Sequence, residues 1–188
     1  MNEKWKKVKL VPHDLHYAQR IYELASQPPV RDALGLRDSS VEDTLSFLEF
    51  IMEEEQAGRV VSRVILNEND ELVGLTELKK IDLDLKRCHI GSWIGHEYWG
   101  LGYNQASKLA ILSIAFEELG MKHVFAGARA VNIRSQKAQE KLPYFSLNVE
   151  DQFPEELAWL EEREKQSCVL HAVFRDDFLA FKKELVRL

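Results

Sequence analysis

A mixed α/β (α+β) fold around a mostly antiparallel sheet is the class this sequence predicts, and three observations predict it. Two runs of β-forming residues, Val60 to Leu66 and Leu72 to Leu78, flank the turn-rich stretch Asn67-Glu68-Asn69-Asp70, as in an antiparallel hairpin. Several other segments repeat apolar residues at helical spacing. Between Cys88 and Ala128 a strand runs into a glycine loop, then a helix, then another strand. The 188 residues suit one domain, read here as 1–188, with no Pro-, Gly- or Ser-rich linker.

Taken in order, Trp5 to Val11 alternates well enough for a first strand, which Pro12 interrupts. Asp14 can cap the helix marked by Leu15, Ala18, Ile21, Tyr22 and Ala25, and Pro28-Pro29 then stop the pattern in a loop. A second helix is expected from about Val41 to Gln56, with Leu45, Leu48, Ile51 and Met52 on one face and Gly58 at its end. After the hairpin, Cys88 to Ile94 reads as a strand in which Gly91 permits a bulge. From Asn104 the chain turns helical, with Leu109, Leu112, Phe116 and Leu119 on one side and Gly120 as a stop. A strand over His123 to Ala128 and a short helix from about Asn132 to Leu142 follow. The remainder offers a strand near Phe145 to Val149, an acidic helix from Pro154 to about Lys165, a strand from Cys168 to Phe174 and a C-terminal amphipathic helix.

Composition narrows the function. A formal charge of -6 argues against a nucleic-acid partner, since phosphate backbones are held by clustered Lys and Arg. No apolar run approaches a membrane span and the start is too polar for a signal peptide, so a cytoplasmic protein without membrane partners is expected. Cys88 and Cys168 make neither a disulfide framework nor a paired-cysteine metal site, and no metal is expected.

The informative stretch is Tyr98-Trp99-Gly100-Leu101-Gly102-Tyr103-Asn104. Two glycines between a strand and a helix let backbone N–H groups turn toward a ligand without Cβ obstruction. The positive end of the helix makes that ligand an anion, a phosphate or pyrophosphate, although a tight strand-to-helix turn explains the glycines equally well. A dinucleotide fingerprint would need glycine where Gln105 stands, and the Gly-Lys-Ser/Thr of a P-loop is nowhere in the chain.

The run Ile90-Gly91-Ser92-Trp93-Ile94-Gly95-His96-Glu97-Tyr98-Trp99-Gly100-Leu101-Gly102-Tyr103, then Ala115 to Gly120, Asn132-Ile133-Arg134-Ser135 and Glu140-Lys141-Leu142, resembles GNAT acetyltransferases, and within them the ribosomal-protein N-terminal acetyltransferase branch. The resemblance is clearest from about Leu72 to Phe145. It implies a GNAT fold with splayed middle strands and flanking helices, acetyl-CoA as cosubstrate, and an amine acceptor, either a protein N-terminus or a small molecule. It also admits a homodimer. Cofactor contacts are implied for Ile94, for the loop Trp99, Gly100, Leu101, Gly102, Tyr103 and Asn104, and for Asn132 and Ser135. The family loop has Gln or Arg, two residues, Gly, one residue, then Gly or Ala. Here the middle glycine, Gly102, is kept while Trp99 and Asn104 depart from the pattern.

The implied reaction is direct attack of an amine on the thioester, which needs a base, oxyanion donors and an acid for the thiolate. His89 stands where the family often has glutamate and titrates near neutrality, although a hydrogen-bonded strand histidine is an equal reading. Glu77 is the substitute base, against the alternative of a solvated sheet face. The family's tyrosine acid is replaced by Gln139, and Ser135 matches the serine given that role in the ribosomal-protein branch. Asn132 also reads as a helix N-cap. Tyr144, after Pro143, reads as packing. The acidic stretch from Glu150 to Lys165 reads as a solvated face anchored by Trp159 and Leu160, with a role in attracting a cationic acceptor held in reserve. A binding or regulatory module for acyl-CoA, with weak or no catalysis, is the alternative function.

Overall fold

The computed structural model describes residues 6–36 and 40–187, so Trp5, placed at the head of the first strand, lies outside the described residues. The chain forms two compact units, one holding residues up to Lys80 together with Gly91–Ile114, the other holding Ile81–Ile90 and the residues from Ala115 on.

In the first unit, β1 (Lys9–Val11) pairs antiparallel with β2 (Val61–Leu66), Lys9 opposite Leu66 and Val11 opposite Val64. Strand β2 pairs antiparallel with β3 (Leu72–Asp82), and a bulge falls between Ile65 and Leu66. The Gly91–Ile94 end of β4 (Arg87–Ile94) continues this order as β1-β2-β3-β4. Adjacent strand residues face opposite ways. Val64 and Leu75 pack with Ile21 and Leu24 of α1 (Ala18–Ala25) and with Leu48 and Ile51 of α3 (Val41–Gln56), while Ile65, Val73 and Ile94 pack with Tyr103 at the start of α4 (Tyr103–Ser113). The expected bounds of α3 are met, and Ser40 with Asp43 forms a capping box at its start.

One element corrects the sequence reading. Pro28-Pro29 do not open a loop but begin α2 (Pro28–Leu34), because proline at the first helical positions lacks only an N–H that has no helical acceptor anyway. Gly35, at φ 66°, closes it.

The second unit takes the other end of β4. Arg87 to Ile90 pair parallel with β5 (His123–Arg129), from Arg87↔His123 to Ile90↔Ala126, and the ladder stops there although β4 runs on to Ile94 and β5 to Arg129. Strand β5 pairs antiparallel over its whole length with β7 (Cys168–Phe174), whose other edge takes β6 (Phe145–Ser146). Strand β6 is shorter than the expected Phe145 to Val149, since Asn148 turns to φ 54° and its N–H goes to His171 Nδ1 at 3.0 Å. The seven strands thus make a mostly antiparallel sheet with one parallel pair, flanked by helices.

Helices α5 (Ile133–Glu140), α6 (Pro154–Glu164) and α7 (Arg175–Arg187) belong to this unit. Leu160 of α6 lies over Gly127 so closely that a Cβ there would sit 2.1 Å from its Cδ2. The acidic helix is therefore not simply a solvated face: Glu156 is 1% exposed beneath it, and Glu150 and Glu161 accept backbone N–H groups from Leu170 and Cys168. Tyr144 packs its buried ring against Phe178 and Phe181 of α7, and burial pushes its phenol well above the ordinary range. No described helix is long and apolar enough to cross a membrane.

Candidate active site

The glycine loop has the backbone geometry that its sequence implies. Gly100 and Gly102 have φ of 79° and 90°, the left-handed region that favours glycine. Gly102 is the N-cap of α4 and no side chain caps it; the first helical bond is Ala106 N–H to Gly102 O at 3.1 Å. The N–H groups of the first turn, which have no intrahelical acceptors, stand at the positive end of an 11-residue helix.

Both departures from the family loop have structural work. Trp99 donates its indole N–H to Ile94 O at 2.7 Å and stacks edge-on with His96, tying the loop to the end of β4. Ile94 therefore already gives its carbonyl one partner. Asn104 turns its side chain along the helix, accepting from Lys108 Nζ at 2.6 Å. Around the loop, Tyr103 O–H donates to Glu68 Oε2 at 3.0 Å, Lys6 pairs with Glu68 Oε1 at 3.3 Å, and Lys6 Cγ would lie 3.5 Å from a Cβ on Gly102. Desolvation first, and then the bond to Glu68, raises the Tyr103 phenol.

Also in the first unit, Glu77 accepts from Lys79 Nζ at 2.9 Å, and this pair occupies the space that a side chain on Gly91 would fill. The cross-strand partner of Glu77 is Ser62, whose Oγ is 2.8 Å from Nε2 of buried His13. His13 and Ser62 are 49 residues apart in sequence, and only the folded chain brings them together. Desolvation lowers the pKa of His13, and its Nδ1 has no partner.

In the second unit, His89 is 2% exposed and its Nε2 lies 2.7 Å from Glu156 Oε2, with the Trp159 ring 4.4 Å away. Arg87 Nε stands 3.0 Å from the other Glu156 oxygen. That environment gives the imidazole an internal carboxylate partner in place of contact with solvent. Asn132 caps α5, its Oδ1 accepting from Ser135 N–H at 3.1 Å, and Ser135 Oγ receives Gln139 Nε2 at 3.3 Å. Burial pushes the Cys88 thiol up to about 12, so it is neutral near pH 7 and poorly suited to nucleophilic work. Among the described residues no group of three or more His, Cys, Asp or Glu side chains could hold a metal.

The comparison with protein families gives the class to which this sheet and its glycine loop belong. The model of the acetyltransferase (GNAT) domain matches residues 7–143, and the chain belongs to that family. An uncharacterized N-acetyltransferase, p20 of Bacillus licheniformis, is 26% identical over 106 residues, 56% of this chain and 58% of the relative, so the match spans little more than half of that protein. Among solved structures, the apo ribosomal L7/L12 α-N-protein acetyltransferase RimL is similar with a TM-score of 0.71 at 16% identity, covering 89% of this chain and 90% of that one. The microcin C7 self-immunity acetyltransferase MccE, solved with acetyl-CoA and AMP, has a TM-score of 0.67 at 20% identity, covering 75% of this chain and 79% of its own. At these identities the structures establish the fold.

Proposed function

We propose that the protein is an N-acetyltransferase that moves the acetyl group of acetyl-CoA to a primary amine, a protein N-terminus or a small-molecule amine, by direct attack. The observation that carries the reading is the loop: two left-handed glycines and an uncapped helix start offer backbone donors to a pyrophosphate, in a chain of the GNAT family. MccE was solved with acetyl-CoA, which supports the same cosubstrate here. The fold is shared alike with RimL, a ribosomal-protein acetyltransferase, and with a spermidine N-acetyltransferase of Vibrio cholerae, so both acceptor classes belong to the proposal. CoA would supply the activated acetyl thioester, its pyrophosphate held by residues 99–104, with further contacts from Ile94, Asn132 and Ser135.

Of the two candidate bases the structure favours Glu77. Its carboxylate is partly exposed and held by Lys79, whereas His89 is enclosed with Glu156. A base must come within hydrogen-bond reach of the ammonium or a bridging water, and a carboxylate that is partly open to solvent can meet either. Ser135, whose N–H goes to Asn132 and whose Oγ accepts from Gln139, would give its hydroxyl proton to the departing thiolate.

Thiol release measured against a panel of N-terminal peptides and polyamines tests the activity. CoA binding without transfer above background would replace the enzyme reading with that of a binding module. Glu77→Gln should lower kcat far more than it weakens CoA binding; an unchanged rate returns the base role to His89. By calorimetry, Gly102→Val should weaken CoA binding far more than Cys88→Ala. Equal affinities would remove the loop from the cofactor site.

A further inference from the structure

The side chain of Asn104 is oriented by a buried lysine. Lys108, one turn further along α4, is 7% exposed, and its Nζ donates to Asn104 Oδ1 at 2.6 Å. An ammonium has donors and no acceptor, so it dictates which end of the planar amide it meets. The oxygen faces Lys108, and the two Nδ2 hydrogens are left for another acceptor. Among the described residues Nδ2 has none, and Asn104 is partly exposed. Asn104 is the second residue of α4, where backbone N–H groups also lack intrahelical acceptors.

We propose that Asn104 Nδ2 is an additional donor to the pyrophosphate of the cofactor, set in place by Lys108. The proposal rests on the reading of the loop as the CoA site. It turns a departure from the family loop into a gain, since a side-chain donor joins the backbone donors where a glycine or alanine has none. Lys108 holds the amide from the protein side without an ion pair among the described residues. Desolvation lowers its pKa to about 8, so at pH 7 it is still largely an ammonium. Two other charged side chains around the loop, Lys6 and Glu68, pair with each other, and Glu68 also receives the Tyr103 hydroxyl.

Asn104→Asp separates binding from structure. The carboxylate is isosteric and pairs with Lys108, so the fold is kept, yet its second oxygen replaces a donor with a charge that repels the phosphates. Calorimetry at pH 7 is expected to show acetyl-CoA affinity falling by roughly 10- to 100-fold, the scale of a charge-assisted hydrogen bond lost. Acetylpantetheine, which carries the thioester arm without pyrophosphate, is expected to bind the variant and the parent alike. Lys108→Met, which releases the amide to turn, is expected to cost a smaller factor in the same direction. If Gly102→Val weakens acetyl-CoA binding while folded Asn104→Asp binds like the parent, or loses acetylpantetheine equally, this inference is overturned and the loop reading stands. If Gly102→Val binds normally, the loop reading falls with it.

Discussion

Replacing Lys108 by methionine should stabilise the fold near neutrality while weakening the cofactor site. Methionine keeps most of the side chain's length and removes a buried charge. Burial lowers the lysine from its ordinary 10.5 to about 8, a difference of about 2.5 units. At roughly 1.4 kcal/mol per unit, holding the ammonium inside costs about 3 kcal/mol at pH 7. Losing the hydrogen bond to Asn104 returns about 1 kcal/mol, so the variant should gain about 2 kcal/mol. The pH dependence identifies the cause. A lysine whose folded pKa lies below its unfolded value leaves the unfolded chain binding the extra proton between about pH 8 and 10.5, so parental stability rises with pH across that window. Urea unfolding of both proteins at pH 7 and pH 10 should show the parent gaining about 2.5 kcal/mol relative to the variant, enough to cancel the variant's advantage. A difference that is the same at both pH values would refute a charge penalty at Lys108.

Three further outcomes follow from particular contacts. Glu156→Gln leaves His89 and Arg87 beside a neutral amide in a closed environment, and is expected to cost about 3 kcal/mol in urea unfolding at pH 7; a loss under about 1 kcal/mol would show the buried pair to be dispensable. His13, held below its ordinary pKa chiefly by desolvation, makes the unfolded chain take the proton first, so stability is full above about pH 6.5 and declines with acidification below it. His13→Gln should flatten that decline, and parallel slopes would assign it to other groups. Gly74→Ala would put a Cβ 2.1 Å from the Trp93 carbonyl oxygen, a backbone atom rather than the end of a flexible side chain, and should lower the unfolding free energy by about 2 kcal/mol or more; a parental melting temperature would contradict that close approach.

What could be read from the sequence was whatever a local pattern determines. The bounds of α3 follow from its apolar spacing and the cap signal before it, and β7 from an unbroken run between polar neighbours. The loop was legible because two glycines between a strand and a helix have few uses. Helix α2 is hidden from a local reading because Pro28-Pro29 break a helix as readily as they start one. Glu156 looked solvated because its burial is decided by Arg87 and His89, more than sixty residues away, and no local spacing carries that information. The Asn104–Lys108 pair was available in principle, since residues four apart on a helix are neighbours, but only structure shows the lysine turned inward. His13 and Ser62 meet just beyond the β1–β2 ladder, whose pairing no single-strand pattern reveals.

The indole bond from Trp99 to the Ile94 carbonyl bears on kinetics. It closes a short covalent-plus-hydrogen-bonded ring around Gly95 to Tyr98, in which two further main-chain bonds, Tyr98 N–H to Gly95 O and Trp99 N–H to His96 O, stiffen the interior. A loop fastened in this way has little conformational freedom left to surrender when an anion arrives. Association should then behave as collision with a prepared surface: a single exponential whose rate rises linearly with ligand concentration, without the plateau that a slow loop rearrangement imposes. Trp99→Phe keeps the ring and deletes the N–H, and in that protein such a plateau should emerge.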